Sequence, residues 1–203
     1  MPIYEYGRTE IDRLKRQDPV LGELIDRLGP LQREVGTDRF GTLVDSIVSQ
    51  QISGKAAESV LARLDGLPGG RSPDALTAAP IDVLRACGLS ARKAGWLQGL
   101  AHEVASGRLD LAGLDALEDG EIVGRLAALP GIGVWTAEMF LIFSMRRPDV
   151  VSWGDFGIRR GMERLYGYDR ITRENFRRHR KDYSPYGTVA SLYLWAVPQG
   201  WKP

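Results

Sequence analysis

The chain has 203 residues, enough for one compact domain or two small lobes, and an apolar content of 43% excludes an unfolded chain. A formal net charge of +1 announces no polyanionic partner by itself. The single cysteine, Cys87, excludes an intramolecular disulfide and any cysteine-ligated zinc or iron–sulfur cluster, and His102 and His179 are too far apart for ligand-type spacing.

Along the chain, helix follows helix. Met1 to Arg16 mixes Tyr, Glu, Arg, Asp and Lys without the apolar core of a signal peptide. Asp18-Pro19 then reads as a cap with a first-turn proline, and Leu21, Leu24, Ile25 and Leu28 form an apolar stripe that stops at Gly29-Pro30. Leu43, Val44, Ile47 and Val48 mark the next helix from Phe40, which breaks at Ser49-Gln50-Gln51-Ile52. Ser53 caps a third helix with Ala56, Ala57, Val60, Leu61 and Leu64 on one face. Ser72-Pro73 and Pro80 open two short pieces after the glycine-rich loop 66–70, and Ser90 caps a longer helix that ends before Gly107. Helices are also expected over 121–129, 135–143, 156–165, 172–181 and 185–196. No segment alternates with a period of two, so the fold class is all-α. The longest apolar run, near Met139 to Phe143, is too short to span a bilayer, and a cytoplasmic protein without a membrane partner is expected.

Between the helices ending near Leu129 and beginning near Trp135 lies Pro130-Gly131-Ile132-Gly133, a tight turn whose glycines leave backbone amides uncovered. Amides at a helix N-terminus favour an anion through their unpaired N–H groups and the helix dipole, so the turn is either a phosphate site or a plain connection. The following helix is apolar nearly all round and is expected to be buried. It leads to Val150-Val151-Ser152-Trp153-Gly154-Asp155, where the carboxylate can also cap the next helix. Beyond Asp155 come Arg159, Arg160, Arg164, Arg170, Arg173, Arg177, Arg178, Arg180 and Lys181 against only Glu163, Asp169 and Glu174. That run is a solvated helical face unless a phosphate site stands nearby.

Four segments occur in order: Phe40-Gly-Thr-Leu-Val-Asp-Ser-Ile-Val-Ser-Gln-Gln-Ile-Ser53, Cys87-Gly-Leu-Ser-Ala-Arg-Lys-Ala94, Leu129-Pro-Gly-Ile-Gly-Val-Trp-Thr-Ala137 and Asp149-Val-Val-Ser-Trp-Gly-Asp155. Together with Tyr183 to Trp195 they resemble the helix-hairpin-helix DNA glycosylases, most nearly the bacterial 3-methyladenine-DNA glycosylase II type. The resemblance runs from about Phe40 to Trp201 and implies a two-lobed helical fold with the active site in the interlobe cleft. It places residues 34–135 in a middle lobe ending in the hairpin, and residues 1–33 plus 136–203 in a second lobe carrying the catalytic aspartate. The extra N-terminal β-domain of some relatives is expected to be absent.

The resemblance further implies a monomeric enzyme of base excision repair that flips alkylated bases, of the 3-methyladenine and 7-methylguanine type, out of double-stranded DNA and hydrolyses them off. Asp155 matches the catalytic aspartate, as electrostatic stabiliser of the sugar or as base toward water. Trp135, Phe156 and Trp195 match aromatic pocket residues, and Trp153 is a nearby addition. An electron-poor alkylated purine gains cation–π attraction from such rings. Trp135 stands where bifunctional relatives carry a lysine nucleophile, which predicts a monofunctional reaction with water. Gln51 takes the position of the wedge that fills the gap left by the flipped base, while Gln50 and Ser53 are read as capping or backbone-contacting residues. Gly131, Gly133 and Thr136 are expected to hold a backbone phosphate, and the carbonyls of Leu129 and Ile132 a structural Na+ or K+, with no other cofactor required. Two alternatives are a noncatalytic helix-hairpin-helix DNA-binding module and a bifunctional glycosylase/lyase.

Overall fold

A computed structural model describes residues 2–201. Among them are twelve α-helices, one 3-10 helix and no strand beyond an isolated antiparallel bridge between Ile3 and Glu34. No helix is long and apolar enough to cross a membrane. The chain forms two compact units, residues 1–37 with 141–203 and residues 38–140.

The first unit contains α1 (Arg8–Gln17) and α2 (Pro19–Leu28). Helix α1 was not anticipated from the charged N-terminal segment. Its apolar signal is only Ile11 and Leu14, one turn apart, and Leu14 is fully buried. Asp18 separates the two helices and caps α2, its Oδ1 accepting the Leu21 amide at 3.0 Å. Its other oxygen accepts from the Tyr166 hydroxyl, which also pairs with Tyr183, and the His179 ring stacks on Tyr166 at 3.7 Å between centroids. Burial raises the cost of the Asp18 charge, but contacts from His179, the Leu21 amide and Tyr166 outweigh it and hold the carboxyl below its ordinary range.

From the C-terminal part of the chain the same unit takes α10 (Phe156–Tyr166), α11 (Arg173–Tyr183) and α12 (Gly187–Ala196). Helix α12 is apolar all round and buried from Gly187 to Leu194, so it is enclosed by its neighbours, α2, α10 and α11. Gly161 permits the α10 contact, because a Cβ there would collide with the Leu194 carbonyl. Leu21, Leu24, Ile158, Met162, Leu165, Val189 and Tyr193 fill this core.

The second unit contains α3 (Arg39–Ser49), α4 (Gly54–Asp65), α5 (Pro73–Ala78), α6 (Ile81–Ala86), α7 (Ala91–Ala105), a 3-10 turn over Gly113–Ala116 and α8 (Asp119–Ala127). Helix α7 packs on α3, α5 and α6, burying Ala94, Leu97 and Leu100 near the buried faces Leu43, Ile47, Leu76 and Leu84. The caps Ser53, Ser72 and Ser90 each accept an amide three residues on, at 3.2–3.3 Å. Helix α9 (Val134–Phe143) starts in this unit, which extends to Phe140. Phe140, Leu141 and Ile142 are buried, whereas the first turn is open: Val134 and Trp135 are 56% and 48% exposed. The uniform apolarity of α9 therefore did not bury it throughout.

Candidate active site

Asp155 ends an irregular segment, 144–155, that is fixed at many points to the start of α12 and to α11. Thr188 donates its amide to the Pro148 carbonyl at 3.0 Å and its hydroxyl to the Arg147 carbonyl at 2.6 Å, and accepts from the Val150 amide at 3.0 Å. The Ser191 hydroxyl donates to the Val150 carbonyl at 2.9 Å. Asp149 gathers three donors: the Arg180 guanidinium at 2.9 Å, the Ser184 hydroxyl at 2.7 Å and the Gly187 amide at 2.9 Å. Burial disfavours its charge, but Ser184, Arg180 and Gly187 more than compensate, so its carboxyl lies below the ordinary range. The segment leading to Asp155 is thereby fixed to helix at Arg147, Pro148, Asp149 and Val150.

Asp155 itself is 7% exposed and caps α10. Its Oδ1 accepts the Ile158 amide at 2.7 Å and the Trp195 indole N–H at 2.9 Å. Two donors on one oxygen fix the plane of the carboxylate, since rotation about the terminal torsion would break both bonds together. The Trp195 ring is fixed in turn by stacking on Phe143, with centroids 5.6 Å apart and planes 26° apart. Gly157 gives it room, because a Cβ there would come within 2.7 Å of Trp195 Cδ1. Phe156, next to Asp155 at the start of α10, is 72% exposed, an unusual cost for an aromatic that had only a core to fill.

Trp153 has another setting. Phe176 meets it edge-on at 5.2 Å, and the guanidinium groups of Arg159 and Arg173 lie over the ring at 5.4 and 4.8 Å. Other members of the basic segment have structural partners too: Arg178 donates to the Tyr168 hydroxyl at 2.6 Å, Arg180 to Asp149, and Arg164 to the Val197 carbonyl at 3.3 Å. Counting arginines in the sequence therefore overstates those available to a polyanion.

The remaining sequence-predicted residues belong to the second unit. The turn 129–133 carries Gly131 in a left-handed conformation, φ +89°, and the Ile132 amide donates back to the Leu129 carbonyl at 3.1 Å. The Gly133 carbonyl accepts the Ala137 amide at 3.0 Å, opening α9, while Thr136 is buried in its first turn. Gln51 is exposed on the loop between α3 and α4 at φ +57°, a conformation that costs a non-glycine residue about 1 kcal/mol or more. The structure thus groups Asp155, Phe156 and Trp195 in one unit, and Gln51, Leu129, Gly131, Ile132, Gly133, Trp135 and Thr136 in the other.

Sequence reasoning missed the roles of Asp149, Gly157, Lys93 and Trp96. Lys93 donates to the Val48 carbonyl at 2.7 Å and to the Gln50 carbonyl, closing the end of α3, and Trp96 packs on Gly131. Only the Lys93 contact had a local signal, a cation that needed acceptors next to the Ser90 cap.

Comparison with known proteins identifies the family. Residues 44–185 match the family model described as HhH-GPD superfamily base excision DNA repair protein. A crystal structure of DNA-3-methyladenine glycosidase from Bacillus halodurans is 37% identical, covers 98% of this chain and 94% of its own, and superposes with a TM-score of 0.90. The Schizosaccharomyces pombe 3-methyladenine DNA glycosylase in complex with abasic DNA is 28% identical, with a TM-score of 0.80 over 96% of this chain and 100% of that one. In sequence, DNA-3-methyladenine glycosylase from Saccharomyces cerevisiae is 34% identical over 170 residues, covering 79% of this chain and 57% of that protein.

Proposed function

Since the chain belongs to the HhH-GPD superfamily of base excision DNA repair proteins, we propose that it is a monofunctional DNA glycosylase that removes alkylated bases from double-stranded DNA and leaves an abasic site. Supporting the substrate class are the 3-methyladenine glycosylases of Bacillus halodurans and Saccharomyces cerevisiae that it resembles. The observation that carries the mechanism is the buried Asp155 carboxylate, held in one plane by Ile158 and Trp195.

Breaking the bond from C1′ to a base sends its electron pair to the base, and positive charge develops on the sugar. A 3-methyladenine or 7-methylguanine already carries positive charge and leaves as a neutral molecule, which lowers the barrier relative to an intact base. A carboxylate that is fixed before reaction stabilises the sugar cation without reorganising, so its effect is larger in the transition state than in the ground state. Water then adds at C1′ and gives up a proton, with Asp155 as the nearby acceptor. Trp135 offers no amine for attack on C1′, which favours water over a covalent enzyme–sugar intermediate.

In this reading Trp135, Phe156 and Trp195 are each aromatic contacts for an extruded base, and Trp135 and Phe156 are exposed. The Gly131 and Gly133 amides and Thr136 hold a backbone phosphate, and Gln51 enters the stack. The carbonyls of Leu129 and Ile132 fit a hard monovalent cation in donor type, oxygen atoms on a tight turn, and such an ion would brace the turn against the phosphate. The protein works as a monomer on DNA in the cytoplasm.

Asp155→Asn tests the mechanism, because asparagine still caps a helix and still accepts from Trp195. The variant is expected to melt near the wild type yet to release methylated bases from alkylated DNA at least 100-fold more slowly, while the wild type gives no covalent adduct with borohydride. Undiminished release by the folded variant would overturn the role of Asp155, and a trapped adduct would overturn the monofunctional reading.

A further inference from the structure

Gln50 follows the last turn of α3, and its side chain reaches across 81 positions of sequence to donate from Nε2 to the Gly131 carbonyl at 2.7 Å. The same peptide unit carries the Ile132 amide, which donates to Leu129 at 3.1 Å. Both polar ends of the 131–132 peptide are therefore held, and fixing its plane restricts ψ of Gly131 on one side and φ of Ile132, the residue before the Gly133 amide, on the other. Trp96 closes the remaining freedom: a Cβ on Gly131 would lie 2.7 Å from its Cε3, so the ring already touches the α-carbon.

Gln50 is anchored at its own main chain as well. Its carbonyl accepts from Lys93, which also bonds Val48. Loss of hydration and the neighbouring Arg92 charge both lower the Lys93 pKa, as expected of an ammonium committed to carbonyls near another cation. The next residue is Gln51, exposed and left-handed. One residue thus joins the loop that presents Gln51 to the turn that presents the Gly131 and Gly133 amides, and the whole linkage lies in the second unit.

We propose that Gln50 is a positioning residue that ties the loop bearing Gln51 to the phosphate-binding turn, so that seating a DNA phosphate on the turn and inserting Gln51 into the stack occur in one fixed register. This rests on the proposed reading of the turn and of Gln51 as DNA contacts. A plain structural bond would serve stability alone. A register device couples two measurable events, phosphate affinity and base extrusion, and removing it lowers both.

The test compares wild type, Gln50→Met, which keeps length without a donor, and Gln50→Glu, which sets an acceptor against the Gly131 carbonyl. Each is titrated onto a duplex containing a tetrahydrofuran abasic analogue and onto a duplex with 2-aminopurine beside a mismatched base, and is assayed for 7-methylguanine release at saturating protein. Loss of one hydrogen bond predicts a Kd raised about three- to tenfold for Gln50→Met and further for Gln50→Glu. The 2-aminopurine fluorescence gain should fall in the same order, and release at saturation should fall in parallel with it, because only the extruded base reacts. Circular dichroism melting identifies a temperature at which all three proteins are folded. Unchanged Kd and fluorescence in both folded variants, or a change in one readout without the other, would overturn the proposal. If the wild type binds and extrudes but releases no 7-methylguanine, the glycosylase reading fails while the binding and fluorescence arms still decide the role of Gln50.

Discussion

Gly157→Ala places a methyl group at the Asp155–Trp195 hydrogen bond, where opposing effects can be weighed. Position 157 lies in the first turn of α10, and alanine there gains about 0.5–1 kcal/mol of helix propensity over glycine. Against this, the new Cβ would sit 2.7 Å from Trp195 Cδ1 and 3.1 Å from both Asp155 Oδ1 and Trp195 Nε1. Reaching ordinary contact at 3.4 Å moves the indole by about 0.7 Å, and such a retreat along the hydrogen bond stretches 2.9 Å to about 3.6 Å, beyond hydrogen-bonding range. Overpacking costs about 1–3 kcal/mol, so the net loss of stability lies between about 0 and 2.5 kcal/mol, at most about 10 °C in Tm for a chain of this size. A hydrogen bond to a charged acceptor contributes about 1.5–3 kcal/mol. If that preorganisation acts in the transition state, kcat falls about 10- to 150-fold. Single-turnover release of 7-methylguanine beside a thermal melt separates the two effects. A Gly157→Ala protein that works at the wild-type rate would refute the idea that the indole bond matters to catalysis.

Trp195→Phe removes the N–H while keeping an aromatic face toward Phe143, and kcat should fall about 10- to 100-fold with a much smaller change in KM, measured by steady-state release from alkylated DNA. Asp149 has a depressed pKa in the fold, so its stabilisation is present above the ordinary carboxylate value of about 4 and is lost as pH falls through the folded value. Asp149→Asn should therefore lower Tm at pH 7 by the equivalent of about 1–2 kcal/mol after screening by solvent, with the gap to wild type narrowing as pH falls below the ordinary carboxylate value; a gap independent of pH would refute the assignment.

Much of the fold was legible because it is written locally. Ser53, Ser72, Ser90 and Asp18 announce helix starts through short-range capping, and each cap is present. Helix α1 was missed because Ile11 and Leu14 alone carry its apolar face. At the site, the order of motifs pointed to Asp155 and to the glycine turn, but the contacts of Trp153, with Phe176 and two guanidinium groups, could not be read from its place beside Asp155 in the sequence. The open first turn of α9 was also hidden, since an all-apolar helix gives no indication of which part the core leaves uncovered. Gln50 and Asp149 bond partners tens of residues away, and no periodicity or cap pattern encodes such pairings.

The cluster around Asp18 bears on the history of the chain. Replacing Tyr166 alone takes the hydroxyl partner from both the buried Asp18 carboxylate and the fully buried Tyr183, at a cost of about 1–3 kcal/mol, a large share of a domain's marginal stability. Such positions cross to new residues in company, so among descendants of a common ancestor the three should drift as a set while their exposed neighbours vary independently. Asp18 comes from the amino-terminal end of the chain and its two companions from the carboxy-terminal end. Exchange of either segment with a relative would therefore succeed only when the matching segment travels with it.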